Sequence, residues 1–413
     1  MSDIGDVGAL GARAAQMIDE LAAISAEPGR LVRLYLTPEH RRAANLVAGW
    51  MRQAGLTLSE DALGTVRGRW GAGRRLLIGS HIDTVIDAGK YDGPLGVIAG
   101  ILAVDHVVRS GRTLPFGLDV LAFGDEEGSR FPSTLATSAG CAGAFDRDTL
   151  ALADRDGVTF GDALRRYGND PAAIASAAYR PGDAAAYVEV HIEQGPVLES
   201  ESEPLGVVTG IVGQSRMRVI VTGEAGHAGT VPMRLRHDAL AGAAELTLLT
   251  ERIAFENARH GMVATVGRIE ALPGATNVIP GRVEFTVDLR AMSDAVRLAT
   301  LAELQARMTR LAEERGLTVA FEPFHDAAAV DCAPALRQGL ADAITALGHR
   351  PVSLPSGAGH DAQMMAKLCP AAMLFVRCRG GVSHNPAEYA SPADMGSAIA
   401  ALIRFIENVD TLL

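Results

Sequence analysis

The chain has 413 residues, 48% of them hydrophobic and 21% charged, with a formal net charge of −11. A chain this long buries enough surface to fold without disulfides or a structural metal, so a metal site in it would serve chemistry. The acidic balance, with no long Lys/Arg run, argues against nucleic acid and against a basic membrane-surface patch. No run of about 18 apolar residues suggests a membrane span. Cys141, Cys332, Cys369 and Cys378 are scattered without CxxC spacing and read as the thiols of a cytoplasmic protein. The first 15 residues lack the basic and apolar regions of a signal peptide.

At roughly 150 residues per domain, the length suggests two or three domains. Apolar residues at spacings of three and four predict helices over residues 10–24 and 40–54. Residues 75–79 read as a short apolar strand and 95–108 as a helix ended by Ser110-Gly111. Residues 117–123 form a second apolar run, and 186–191 alternate like a strand. The polar stretch 146–182 reads as helical insertions and loops.

From about residue 212 the character changes. A strand (217–222) leads through a Gly-rich turn into a helix (235–258), two strands (262–269 and 283–289), a helix (294–315) and a strand (318–324). This β-α-β-β-α-β order is that of a ferredoxin-like unit. After Ala327 the earlier alternation resumes, with an apolar strand at 371–376. The expected class is α/β. A discontinuous catalytic domain (1–211 and 328–413) has a mixed, mainly parallel sheet flanked by helices. An α+β domain (212–327) is inserted into it.

Residues able to carry chemistry gather at the ends of these elements. His81 follows the strand 75–79 and can offer a ring nitrogen to a metal. Asp83, two residues on, could hold the other ring N–H. Asp92 stands just before a helix, where it would serve as an N-cap or as a carboxylate bridging two cations. Asp125, Glu126 and Glu127 follow the strand 117–123 and repel one another unless a cation or a shared proton relieves them. Adjacent carboxylates can divide the labour, one coordinating and its neighbour reaching the activated water. His191 and His384 each follow a strand as well. Ligand sites in open α/β sheets lie at the carboxyl ends of strands. His81, Asp92, Glu127, His191 and His384 are too many for one open tetrahedral zinc. They suit two ions sharing one carboxylate, and the mixed donors suit Zn2+ or Mn2+, with Co2+ or Ni2+ possible.

These residues lie in the motifs GSHIDTV, GKYDGPLGV, FGDEEGSRF, HIEQGPVLE, GHAGTVPM, GAGHDAQ and GVSHNPAE, which fall in order along most of the chain. The pattern resembles the M20 metallopeptidase superfamily, and within it the hydantoinase/carbamoylase amidases. That branch includes N-carbamoyl-L-amino acid hydrolases, allantoate amidohydrolases and β-ureidopropionases. The resemblance implies that His81, Asp92 and His191 hold one ion and Asp92, Glu127 and His384 the other, with Asp92 bridging. It implies that Glu126 takes the water proton and passes it to the leaving nitrogen. In the peptidase relatives the position of His191 is usually Asp or Glu, so His191 favours the amidase branch.

The resemblance also makes the inserted domain a lid and dimerisation domain. His227 would polarise the scissile carbonyl, while Asn277 and Arg290 would grip a substrate carboxylate across a homodimer interface. Gln194, Gln214 and His360 sit in matching motifs as further substrate-binding candidates. The expected substrate is a small ureido acid, with the choice among allantoate, N-carbamoyl-L-amino acids and β-ureidopropionate open. An M20-type aminopeptidase or dipeptidase is the alternative. A non-catalytic binding protein on this fold would have lost a ligand or the base, and neither is missing.

Overall fold

The computed structural model describes residues 6–409, so the first five residues of the stretch read for a signal peptide lie outside it. The described chain divides into two compact units, residues 6–209 with 331–409, and Gly210–Val330.

The larger unit is built on a mixed sheet with parallel strands at its centre. Arg75–His81 lies parallel to Gly117–Phe123 on one side and to Ala184–Ile192 on the other, and Ala371–Val376 lies parallel beyond that. Val66–Trp70 and Leu205–Ile211 flank this centre as antiparallel neighbours. Every residue of Gly117–Phe123, Ala184–Ile192 and Ala371–Val376 is buried. That is why Gly117–Phe123 and Ala371–Val376 read as near-continuous apolar runs, although Ala184–Ile192 alternates. The parallel register aligns His81 with Phe123 and His191 with Phe375, so the loops that leave these strands open on one edge of the sheet.

The helix Pro94–Arg109 is buried without interruption from Pro94 to Val104. It packs on the Arg75–His81 strand and on the helix Pro392–Asn408. Gly96 permits this approach: a Cβ added there would stand 2.1 Å from the carbonyl oxygen of Val190, the residue before His191. The four cysteines are free and buried. Among the described residues no helix is long and apolar enough to cross a membrane.

The smaller unit is an antiparallel sheet with two helices. Arg282–Ala291 and Gly213–Thr222 pair at its centre, and Thr318–Ala327 lies outside the latter. Ile269–Leu272 and Val263–Thr265 pair with Arg282–Ala291. Numbered along the unit, with those two segments together as the second strand, the order is 2-3-1-4, as in a ferredoxin-like sheet. Odd-numbered residues of the central strands, among them Met217, Val219, Val221, Phe285, Val287 and Leu289, form one core with the helices Ala239–Glu256 and Asp294–Glu314.

Two expectations need correction here. The single strand expected over 262–269 is two short strands, because Gly267 falls between them. The helix expected from Leu235 starts at Ala239, where the Asp238 carboxylate accepts the N–H groups of Leu240 and Ala241. A side-chain cap of this kind fixes a helix start that hydrophobic periodicity leaves open.

These contacts predict opposite outcomes for two glycine substitutions. Gly96→Ala should destabilise the protein by about 1–3 kcal/mol, because the helix must leave the sheet. Gly49→Ala, in the helix Pro38–Gln53 with no atom near the added Cβ, should stabilise by up to about 1 kcal/mol. Urea unfolding of the two variants checks both signs.

Candidate metal centre

The aligned strand ends bring five side chains of the larger unit together. The carboxylate of Asp92 lies at their centre and is only 5% exposed. Its Oδ1 stands 3.0 Å from Nε2 of His191 and 3.5 Å from Nε2 of His81. Its Oδ2 stands 3.4 Å from Nε2 of His384, which is also 3.4 Å from Oε2 of Glu127. One carboxylate therefore turns one oxygen to each of two donor sets. In both sets, His81/Asp92/His191 and Asp92/Glu127/His384, the donor atoms lie within 4.8 Å of one another.

The alternative reading of Asp92 as a helix cap does not hold. Gly93 occupies the cap position, and no side chain caps this helix. Gly93 has φ 80°, and a Cβ added to it would lie 2.5 Å from the His81 ring. The loop thus carries Asp92 past His81 at a distance only glycine allows.

The acidic turn separates its three carboxylates by direction. Asp125 takes a left-handed conformation, φ 60°, and is fully buried, accepting from the Ser133 hydroxyl at 3.0 Å. Burial, and then Asp83, push its carboxyl well above the usual range. Glu126 and Glu127 face the histidines, with Oε2 of Glu126 3.8 Å from Nε2 of His81. Burial and the surrounding carboxylates raise both, Glu127 to about 8. For His81 burial works downward, but Glu126 and the neighbouring aspartates outweigh it and raise its pKa. A divalent cation among these groups would reverse that field and hold the carboxylates ionised.

Asp83 does more than the sequence suggests. Its Oδ1 lies 3.5 Å from Nδ1 of His81, and its backbone carbonyl lies nearer, at 3.2 Å. Its carboxylate also accepts the backbone N–H groups of Glu126 and Glu127, each at 3.3 Å. It therefore orients the acidic turn as well as the imidazole.

The residues fit a metal. Nε2 of His81 is buried and has no hydrogen-bond partner, although it points at two carboxylates. A buried polar atom in that state needs a partner the protein does not supply. Imidazole nitrogens mixed with carboxylate oxygens take divalent ions of the Zn, Mn, Co or Ni type.

Gln194 and His360 also lie in this cluster. Gln194, at φ 56°, donates Nε2 to Oδ2 of Asp92 at 2.7 Å, while its Oε1 is buried without a partner. His360 is 1% exposed, bonds the Ser356 hydroxyl through Nε2 at 2.7 Å, and lies edge-on to the His191 ring. Sequence reasoning assigned no role to Ser383, whose hydroxyl donates to Oδ2 of Asp92 at 2.6 Å, or to Glu388 behind it.

The other candidates lie in the smaller unit and form two pairs. His227 is on a two-stranded ribbon opposite Val278, and the neighbouring Asn277 accepts from the Ala228 N–H through its carbonyl. Gln214 and Arg290 are register partners on the central strands. The Arg290 guanidinium makes a two-point pair with Asp288 at 2.8 and 2.9 Å.

The family model "Peptidase family M20/M25/M40" matches residues 77–408. Allantoate deiminase of Arabidopsis thaliana is 44% identical over 425 residues, covering 95% of this chain and 81% of that protein. N-carbamoyl-L-amino acid amidohydrolase of Geobacillus stearothermophilus is 40% identical over 390 residues, covering 93% and 95%. The crystal structure of an amidase of the hydantoinase/carbamoylase family from Burkholderia multivorans superposes with a TM-score of 0.88 at 36% identity, covering 96% of this chain and 97% of that one. The chain belongs to the M20/M25/M40 peptidase family, in its hydantoinase/carbamoylase branch, and is a hydrolase of linear amide C–N bonds.

Proposed function

We propose that this amidohydrolase holds two divalent ions per chain and removes ammonia from the ureido group of allantoate. The observation that carries the two-ion reading is the division of Asp92, one oxygen toward His81 and His191, the other toward His384. Glu127 completes the second set. The choice of allantoate rests on the 44% identity to an allantoate deiminase over nearly the whole chain. The second reading, an N-carbamoyl-L-amino acid, is favoured by a relative at 40% identity.

Bound divalent ions supply Lewis acidity and bring water within reach of deprotonation near neutral pH. Glu126, beside both donor sets and outside the bridge, accepts the water proton. The water oxygen attacks the ureido carbon, the C–N bond to the terminal nitrogen breaks, and Glu126 returns the proton to that nitrogen. Ammonia departs, and the remaining carbamate loses carbon dioxide. His227 polarises the ureido carbonyl, while Asn277 and Arg290 hold the substrate carboxylate. Gln194, Gln214 and His360 are assigned to substrate contacts. The same chemistry on a peptide would need a site for a second residue in place of the terminal amide.

The smaller unit also supports a homodimer. Leu240, Leu248 and Phe255 lie on one exposed face of the helix Ala239–Glu256, and Phe255 is 74% exposed. A stripe of large apolar side chains on a surface helix marks an interaction face.

Glu126→Gln should lower kcat by about 10²–10⁴-fold while the metal content stays at the wild-type value. Metal analysis and ammonia release on the same preparation test this, and normal turnover would remove Glu126 as the base. A panel of allantoate, several N-carbamoyl-L-amino acids, β-ureidopropionate and dipeptides should give the highest kcat/KM on allantoate. Preference for a carbamoyl amino acid selects the second reading, and dipeptide cleavage without ammonia defeats both. Phe255→Asp should shift the protein from dimer to monomer in light scattering.

A further inference from the structure

Glu388 stands outside both donor sets, yet it is 4% exposed and fully engaged. Its Oε1 accepts the backbone N–H groups of Tyr91 and Asp92, at 2.8 and 3.1 Å. Its Oε2 lies 3.2 Å from the Ser383 hydroxyl. That hydroxyl lies 2.6 Å from Oδ2 of Asp92, so its proton sits between two carboxylates and nearer to Asp92. The backbone N–H of Glu388 is bonded to the carbonyl of Asn385, inside the loop that carries His384.

These bonds join two loops far apart in sequence. One carries Asp92 into the helix Pro94–Arg109, and the other carries Ser383 and His384 beyond the strand Ala371–Val376. Neither loop is held in place by a strand or helix ladder at these positions. His384 adds a left-handed φ of 54°, a conformation that persists in a non-glycine residue only where its surroundings fix it. We propose that Glu388, acting through Ser383, is a positioning residue: it fixes the backbone and Oδ2 of Asp92 and ties the Asp92 loop to the His384 loop. Both of its oxygens are spent on N–H and O–H groups, so it holds the frame and leaves the ion to others.

The role is one of hydrogen bonding, and it separates two substitutions of one residue. Glu388→Gln keeps a carbonyl oxygen for the two N–H groups. Its amide nitrogen can donate to the Ser383 oxygen and leave the hydroxyl proton to Asp92. Glu388→Ala keeps neither contact. Groups that orient metal ligands typically change metal affinity by about 10–100-fold when removed.

The inference rests on the metal reading above, and its test is metal affinity, measured with the full chain by equilibrium dialysis against Mn2+. Glu388→Ala and Ser383→Ala should bind Mn2+ about 10–100-fold more weakly while still unfolding cooperatively without metal. Glu388→Gln should stay within about threefold of wild type, because a frame effect on the ligands is restored with the frame. Wild-type affinity in a folded Glu388→Ala variant overturns the proposal. So does a Glu388→Gln variant as weak as the alanine variant, since charge and not the frame would then be the cause. If Glu388→Ala does not fold, the nearly isosteric Ser383→Ala decides, and unchanged affinity there overturns the proposal. The wild-type stoichiometry tests the two-ion reading separately. One ion per chain would defeat that reading, while the fall in affinity would still decide for Glu388.

Discussion

An ionised carboxylate taken out of water costs several kcal/mol unless charges and donors close around it. Asp92 is buried at the centre of this cluster, and its surroundings meet that demand. Three imidazoles face it, and the Gln194 amide and the Ser383 hydroxyl donate to it. The histidines nearest its Oδ1 hold its pKa well below the usual carboxylate range, even though burial alone pushes the other way. These partners come from three separate segments: the end of Arg75–His81, the end of Ala184–Ile192 with its following loop, and the loop that carries Ser383 and His384. Satisfying one carboxylate therefore requires the parallel strands to end level and their loops to converge.

The same requirement explains the local sequence. Gly96 lets the helix that follows Asp92 lie against the carbonyl before His191, and Gly93 lets the Asp92 loop pass the His81 ring. The carboxylate of Asp83 orders the backbone of Glu126 and Glu127, so two acidic side chains project together in spite of their repulsion. Burial raises the pKa of both Glu126 and Glu127, that of Glu127 to about 8. A cation among these carboxylates would offset their mutual repulsion.

How far this was legible depended on whether a feature is local. The strands Gly117–Phe123 and Ala371–Val376 have the expected bounds, because full burial makes them uniform apolar runs with polar ends. The ferredoxin-like order was legible because six elements in that sequence admit few arrangements. The start of the helix at Ala239 and the break at Gly267 escaped, since both depend on a single polar or glycine residue. The candidate ligands could be named because His and acidic residues recur at or just beyond strand ends and before one helix. Spacing alone left open whether Asp92 is a cap or a ligand, because that rests on which way one side chain turns, and only the resemblance assigned it to both ion sets. Glu388 escaped for a deeper reason. An acidic residue two places after a proline in a polar loop reads as solvated. Its burial is decided by Tyr91 and Asp92, nearly three hundred residues away.

The smaller unit presents a complementary electrostatic problem. A protein with net charge −11 repels an anion at long range. At physiological salt that field is screened beyond about 8 Å, so the groups close to the anion decide. On the central strands Arg290 and Arg216 share the single carboxylate of Asp288. Burial and then Arg216 depress the pKa of His325, the register partner of Arg216 in the next strand. The two-point pair with Asp288 fixes the plane of the Arg290 guanidinium before any ligand arrives. A guanidinium fixed in this way loses less side-chain freedom on meeting a ligand than a mobile one. A fork held in this way suits a planar carboxylate better than a flexible ammonium would. That is the physical case for a carboxylate on the proposed ureido substrate.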